Sequence, residues 1–205
     1  ERPPDTRAES FINLTYPPGS PLKDTELMET LQLGRTPIRE AIKKLEVELL
    51  VITKPRQGTY VAEISLADFA QQHPVFRQLA VLAVGLAIQQ RSPEKLHQLK
   101  LQHRMLGVYE RGPTESLIRA LLEFHRRLGW VAGNLYLGQM VSRYCGYIQR
   151  VWLLAALQLT SADFQLGDYA DLMAFLAAGQ ADAAQQLMHS HLDAVHRRVL
   201  EKLSQ

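Results

Sequence analysis

Cysteine is almost missing from this chain: Cys145 is the single one among 205 residues. One thiol excludes an intrachain disulfide framework and suits a reducing cytoplasm. Net charge is nearly missing too, at +2 from 23 basic and 21 acidic side chains. A nucleic-acid partner must therefore be read from a local basic patch, not from the total. No apolar run approaches the roughly 20 residues that span a bilayer, so no membrane partner is expected. Glu1 to Thr6 is polar and proline-rich, without the apolar core of a secretory signal, and Glu1 is not expected to be the native start. Without such a signal, Asn13-Leu14-Thr15 is read as a chance match to a glycosylation acceptor. The marks of an enzyme are absent as well. There is no paired-glycine phosphate loop and no His-Glu-x-x-His, and Cys145 has no histidine close in sequence.

What is present falls into two parts. A hydrophobic content of 46% is enough for two small cores or one large one. Most turn-forming residues precede residue 62: Pro17-Pro18-Gly19, Pro21, Pro37, Pro55 and Gly58. Beyond it the pattern is helical almost to the end. The expected domains are 1–63 and 66–205.

In the first part, Arg7 to Leu14 reads as a short helix stopped by Pro17-Pro18. Asp24 is a suitable N-cap for a helix through Leu31. After a turn at Leu33-Gly34-Arg35, Thr36 can cap a third helix, with Pro37 at its first position. Ile38, Ile42 and Leu45, with Leu49 as a further candidate, share one face of that helix, and Arg39, Lys43 and Lys44 lie largely on another. Leu50 to Thr53 and Thr59 to Val61 are short β-branched runs joined by Lys54-Pro55-Arg56-Gln57-Gly58, a hairpin signal with a basic tip.

Three helices and a two-stranded wing make a winged helix-turn-helix, whose second motif helix enters the major groove of DNA. Arg35, Thr36 and Arg39 sit where base edges are met, and arginine's fork suits guanine O6 and N7. Thr36 and Lys43 reach phosphates. Arg56-Gln57-Gly58 can enter an adjacent minor groove, where glycine permits close approach. From Gly34 to Gly58 there are six basic and three acidic residues.

These residues resemble a known family. Tyr16-Pro17-Pro18-Gly19-Ser20-Pro21-Leu22, Glu26-Leu27, Gly34-Arg35-Thr36-Pro37-Ile38-Arg39-Glu40-Ala41-Ile42, Leu45 and Gly58-Thr59-Tyr60-Val61 are similar to the DNA-binding domain of the GntR family. The likeness runs over about residues 7 to 62. It implies that Arg35 and Arg39 contact operator bases and that the wing contributes at Gly58. Two positions depart from the pattern: Leu49 and Leu14 stand where the family has glycine. A missing glycine just past a helix weakens its stop, so the local turn is expected to differ.

The second part reads as helices over 67–90, 93–109, 114–132, 135–158, 161–178 and 180–203, with Pro74 near the start of the first, where it can break it. Ser92 is a suitable cap. Short connections at Gly112-Pro113, Gly133-Asn134, Leu159-Thr160 and Gly179 predict an antiparallel six-helix bundle. The fold class is thus mainly α: a winged helix-turn-helix followed by that bundle. The helical part is similar to the FCD type of effector domain of the FadR subfamily, VanR-like branch, through Phe124-His125, Gly133-Asn134, Leu187-Met188 and His191-Leu192.

That resemblance implies a divalent metal site of one aspartate and three histidines, chemistry suited to zinc, nickel or manganese. His125 and His191 match two ligands. Leu121 stands in the aspartate's place and Tyr169 in the middle histidine's. With half the ligand set gone, loss of metal binding is expected, with Tyr169 filling the space. Asp168 is expected to point beside the site. The resemblance also implies a small carboxylic-acid effector held by Arg77, His125, Tyr169 or His191. Arg77 can equally pair with an acid of the protein. Asn134 reads as a helix cap, His97, His103, His189 and His196 as surface residues, and Trp130, Tyr144, Tyr147 and Trp152 as core or interface. The function expected is a cytoplasmic transcriptional repressor, a homodimer on operator DNA under small-molecule control. The rival classes are a helical-bundle metalloenzyme or metal-binding protein whose helix-turn-helix serves protein contacts, and a co-regulator that senses no ligand.

Overall fold

The computed structural model describes residues 10–204. The chain divides into two compact units, one ending at Ser65 and the other beginning at Leu66.

The first unit opens with helical residues 10–12; the part of the expected first helix that precedes Ser10 lies outside the described residues. Then come β1 (Pro21–Leu22), α1 (Asp24–Leu31), α2 (Arg35–Val47), β2 (Val51–Lys54) and β3 (Gly58–Val61). The strands form an antiparallel sheet in the order β1-β3-β2, with Ile52 opposite Tyr60 and Lys54 opposite Gly58. Phe11, Leu22, Leu27, Ile38, Ile42, Leu45, Leu50, Val51 and Val61 close one core. The amphipathic spacing of Ile38, Ile42 and Leu45 is what presses α2 onto it. β1 has no sequence signal. It is two residues long, and its proline has no N–H to give, so it can only be an edge.

Both expected caps are corrected. Lys23 holds the cap position of α1 and Gly34 that of α2, neither with a side-chain cap bond. Asp24 and Thr36 fall inside their helices, and Pro37 is the third residue of α2. Its missing N–H still falls among the orphan donors of the first turn.

The turns at Leu14 and Leu49 keep the geometry that glycine would give. Both leucines are left-handed, at φ 60° and 59°. After α2, Leu50 N–H donates to the Leu45 carbonyl at 2.9 Å and Leu49 N–H to that of Glu46 at 3.0 Å. Thr15 and Leu14 repeat this pair on Ser10 and Phe11, at 2.9 and 3.3 Å. This is the Schellman closure, made without its usual glycine. A left-handed L-residue costs about 1–2 kcal/mol, and glycine's extra chain entropy takes back about 0.5–1 kcal/mol. Leu49 is 56% exposed, so little packing is lost on replacing it. Leu49→Gly is expected to stabilise this unit by about 0.5–1 kcal/mol. Hydrogen exchange of the Ile42 and Leu45 amides reads it; faster exchange would mean that the leucine side chain outweighs the strain.

The second unit comprises α3 (Leu66–Gln89), α4 (Pro93–Tyr109), α5 (Thr114–Val131), α6 (Leu135–Leu154), a 3-10 turn at Ser161–Phe164, α7 (Gly167–Ala178) and α8 (Ala181–Leu203). α5 is the central helix, with Leu117, Ile118, Leu121, Leu122, Phe124, His125 and Leu128 all buried. It packs on α3, α4 and α6, and α8 packs on α3 and α7. Ser92 Oγ accepts from Lys95 N–H at 3.3 Å and Asn134 Oδ1 from Leu137 N–H at 3.1 Å, so both expected caps form. Pro74 does not break α3, which runs through it between the buried Phe69 and Phe76. The expected 135–158 helix stops at Leu154. The expected 161–178 helix is split by Gln165, left-handed at φ 47°. No described helix is long and apolar enough to cross a membrane.

Candidate functional site

The DNA-reading candidates are all exposed in the first unit. Arg35, Thr36, Arg39 and Lys43 are all exposed along the first three turns of α2, where Ile38, Ile42 and Leu45 are buried. Asp24, on α1, meets Arg39 only at the Nε edge, 3.6 Å from Oδ2. Arg56, Gln57 and Gly58 are exposed at the hairpin tip, with Arg56 at φ 63° and Gly58 at φ 111°. Tyr60 shapes this tip, a role that its place in the strand pattern did not signal. Its hydroxyl donates to the Gln57 carbonyl at 3.1 Å, and Lys54 Nζ lies 4.9 Å from its ring centre. Thr53 N–H donates to Glu46 Oε1 at 2.9 Å, which ties the wing to α2. The surface therefore offers two exposed arginines, an exposed lysine and an open glycine tip.

In the second unit, α5, α7 and α8 bring His125, Tyr169 and His191 together. The Tyr169 hydroxyl lies 3.0 Å from His125 Nε2 and 3.3 Å from His191 Nε2. All three residues are buried. His191 Nδ1–H donates to Asp168 Oδ2 at 2.8 Å, so Asp168 orients the ring from beside the cluster. In that tautomer His191 Nε2 accepts the Tyr169 O–H, and the phenol oxygen accepts His125 Nε2–H. His125 Nδ1 is then a bare acceptor, buried with no protein partner. Burial, helped by the nearby His191 and Arg126, lowers the His125 pKa to about 3, so its ring stays neutral. Burial likewise raises the Tyr169 phenol and keeps it protonated.

A metal does not fit this cluster. A neutral phenol bridges the two imidazoles, Leu121 offers only a methyl-tipped side chain, and among the described residues no three His, Cys, Asp or Glu side chains are placed to hold an ion. Two open surface pockets of about 340 and 500 Å3 lie elsewhere, one beside Arg197 and Lys202 and the other beside Arg91 and His97.

Arg77 is not in the cluster. Its Nη1 donates to both Asp193 oxygens, at 2.8 and 2.9 Å, while its Nε is buried without a partner. His73 Nε2 lies 2.8 Å from the same carboxylate, and His189 Nδ1 lies 3.5 Å away. Burial alone would raise the Asp193 carboxyl, but the bonds from His73 and Arg77 outweigh it and hold it low. His196 stacks on His73 at 3.8 Å between ring centres, and burial lowers its pKa to about 4. His196 is thus no surface residue, which corrects the expectation. The expected pairing of Arg77 with an acid is thus met by Asp193; that His73 joins it was not signalled, because Asp193 lies more than 100 residues from both.

Comparison with known proteins followed the same division. Residues 75–194 match the FCD domain and residues 9–61 the family described as bacterial regulatory proteins, gntR family. The HTH-type transcriptional repressor RspR of Escherichia coli K12 is 22% identical over 190 residues, 92% of this chain and 83% of its own. The uncharacterized HTH-type regulator YdhC of Bacillus subtilis is 25% identical over 197 residues, covering 94% of this chain and 88% of its own. Among solved structures, McbR/YncC of E. coli superposes with a TM-score of 0.82 at 18% identity, over 96% of this chain and 94% of that one.

Proposed function

Because the chain belongs to the gntR family of bacterial regulatory proteins and carries an FCD domain, we propose that this DNA-binding transcription regulator is a repressor controlled by a small organic acid. It acts in the cytoplasm as a homodimer, one recognition helix per operator half-site. The run of helices from Leu66 to Leu203 supports assignment to the FadR subfamily and its VanR-like branch. Relatives whose names carry the word repressor, RspR and the "Probable D-xylose utilization operon transcriptional repressor" of Paenarthrobacter nicotinovorans, support repression. Its similarities are to regulators, so the bundle is read as a sensor rather than an enzyme.

The observation that carries the DNA reading is the row Arg35, Thr36, Arg39 and Lys43. These side chains are exposed although the face behind them completes a core. His125 Nδ1 supports the effector reading, because an unmet buried acceptor costs about 1–3 kcal/mol and a ligand donor would relieve it. A protonated acid supplies that donor. Control then acts by population shift: the effector favours one arrangement of the dimer over the other. No metal is required.

Selection from a random DNA pool with the full chain tests this, alongside thermal shifts with a panel of small monocarboxylic acids and metal analysis of untagged protein. The expected result is an enriched twofold-symmetric sequence, a selective shift with one acid and no stoichiometric metal. A pool that stays random would sink the operator reading. A stoichiometric metal lost in His125→Ala would overturn the metal-free sensor.

A further inference from the structure

We propose that the outer face of α4 is a docking surface for an acidic amphipathic helix of another protein. This face lies in the second unit and shares no residue with the operator surface or with the His125, Tyr169 and His191 cluster.

α4 is held by the unit along one side. Leu99 and Leu106, seven residues apart, are buried, and the helix packs on α5 and α7. At 3.6 residues per turn, Leu101, Met105 and Val108 fall on the opposite side. All three are exposed, at 45%, 37% and 66%. Their spacing of four and three residues makes a continuous apolar ridge, the form in which one helix receives another.

Cations edge one flank of the ridge. His97, Lys100 and Arg104 follow one another at three and four residues, and all are exposed. The row leads into a depression of about 500 Å3 lined by Arg91, Ser92, Pro93, Leu96, His97 and Lys100, with no acidic side chain among them. From Arg91 to Arg111 there are five basic residues and two acidic ones. One of those acids, Glu94, is hydrogen-bonded to Ser92 at the start of the helix.

Gly107 is an independent sign. It stands three residues after Arg104, is exposed, and a side chain there would meet nothing within 4 Å. Glycine weakens a helix, and no described neighbour requires it at this place. A bare helix turn leaves room for a second backbone to come close.

Charge selects the occupant. A second copy of α4 would bring two basic rows to one contact, and like charges facing each other repel. Duplex DNA would meet the cations through its phosphates but would leave the ridge in water. Anionic membranes also take basic amphipathic helices, but those sink a face carrying Trp or Phe as well as Leu. This ridge has no aromatic side chain, and its helix is already fastened by Leu99 and Leu106. A helix with carboxylates beside an apolar stripe satisfies both features, the stripe on the ridge and the carboxylates on Lys100 and Arg104. Met105, at the centre, has a flexible thioether that adapts to such a partner.

The test is selection from a displayed library of random 17-residue peptides, the length of α4, on the immobilised full chain. The enriched peptides are expected to be acidic, with apolar residues at helical spacing. In fluorescence anisotropy an enriched peptide is expected to bind about tenfold more weakly to Met105→Glu and to Arg104→Glu, and more weakly in added salt. Its affinity for Leu157→Glu, at another exposed apolar position, is expected to be unchanged. Circular dichroism checks the fold of each variant; should Met105→Glu unfold, Val108→Ser reads the same ridge. A library that enriches nothing, a pool without acidic bias, or binding untouched by the α4 substitutions would overturn the proposal. So would an empty selection together with capture on phosphatidylserine vesicles that Arg104→Glu abolishes, which would give the face to a membrane.

Discussion

Arg39→Ala should collapse the preference for operator over random DNA by about 1–3 kcal/mol, roughly five- to 150-fold, while leaving the protein folded. Arg39 projects from the start of α2 with its side chain 60% exposed. Among the described residues its ion pair is with Asp24 and touches Nε, which leaves the outer edge of the guanidinium to span guanine O6 and N7. Removing it takes away no core contact, because Ile38 and Ile42 on either side do the packing. Arg39→Lys should not restore the preference, since an ammonium is a point charge and cannot bridge two acceptors in a fixed plane. Lys43 supplies the contrast: a phosphate contact holds all sequences alike. Competition binding of the selected operator against random duplex at fixed salt measures the ratio. An unchanged ratio in Arg39→Ala would remove this residue from base reading.

Much of the DNA-binding unit could be read from the chain because its signals are local. The spacing of Ile38, Ile42 and Leu45 and the basic hairpin tip each need fewer than ten residues of context. The caps were misread for the same reason that caps often are: Asp24 and Thr36 are good capping types, but each stands one or two residues past the position where the backbone turns. Leu14 and Leu49 show a different limit. Their side chains give no hint of a left-handed turn, and tertiary closure by Leu50 and Thr15 imposes it. Pro74 shows the converse, a strong local breaker overruled by two buried phenylalanines.

The buried cluster was legible only by resemblance. Nothing in spacing alone joins Tyr169 to His125, 44 residues before it, and to His191, 22 residues after it. The resemblance led to the positions, and there the Tyr169 hydroxyl lies between the two imidazoles. Of the Arg77–His73–Asp193 group only Arg77 was legible, through the resemblance and as a residue able to pair with an acid of the protein; His73 and Asp193 matched no motif.

The histidines that this packing keeps neutral make the helical unit acid-sensitive. An unfolded histidine titrates near 6.5, whereas His125 in the folded unit does so at about 3. Between those values the unfolded chain binds a proton that the folded one refuses, so stability falls as pH drops, by about 1.4 kcal/mol per pH unit from this residue alone. By pH 5 the loss is about 2 kcal/mol. His73, His103 and His196, also lowered by burial, add in the same direction. Asp193 does not mask the effect, because its carboxyl is held below its usual 3.8 and its contribution fades only in stronger acid. Both tryptophans, Trp130 and Trp152, lie in the helical unit, so their fluorescence reports its unfolding separately. Urea titrations at pH 7.5, 6 and 5 should show this slope. His125→Phe, which keeps a ring between Phe76 and Phe124 but binds no proton, should reduce it by one proton, as should the smaller His125→Asn. Equal slopes in all three proteins would mean that His125 takes up its proton as readily in the folded unit as in the unfolded chain, at Nδ1, with the bond from Nε2 to Tyr169 unchanged.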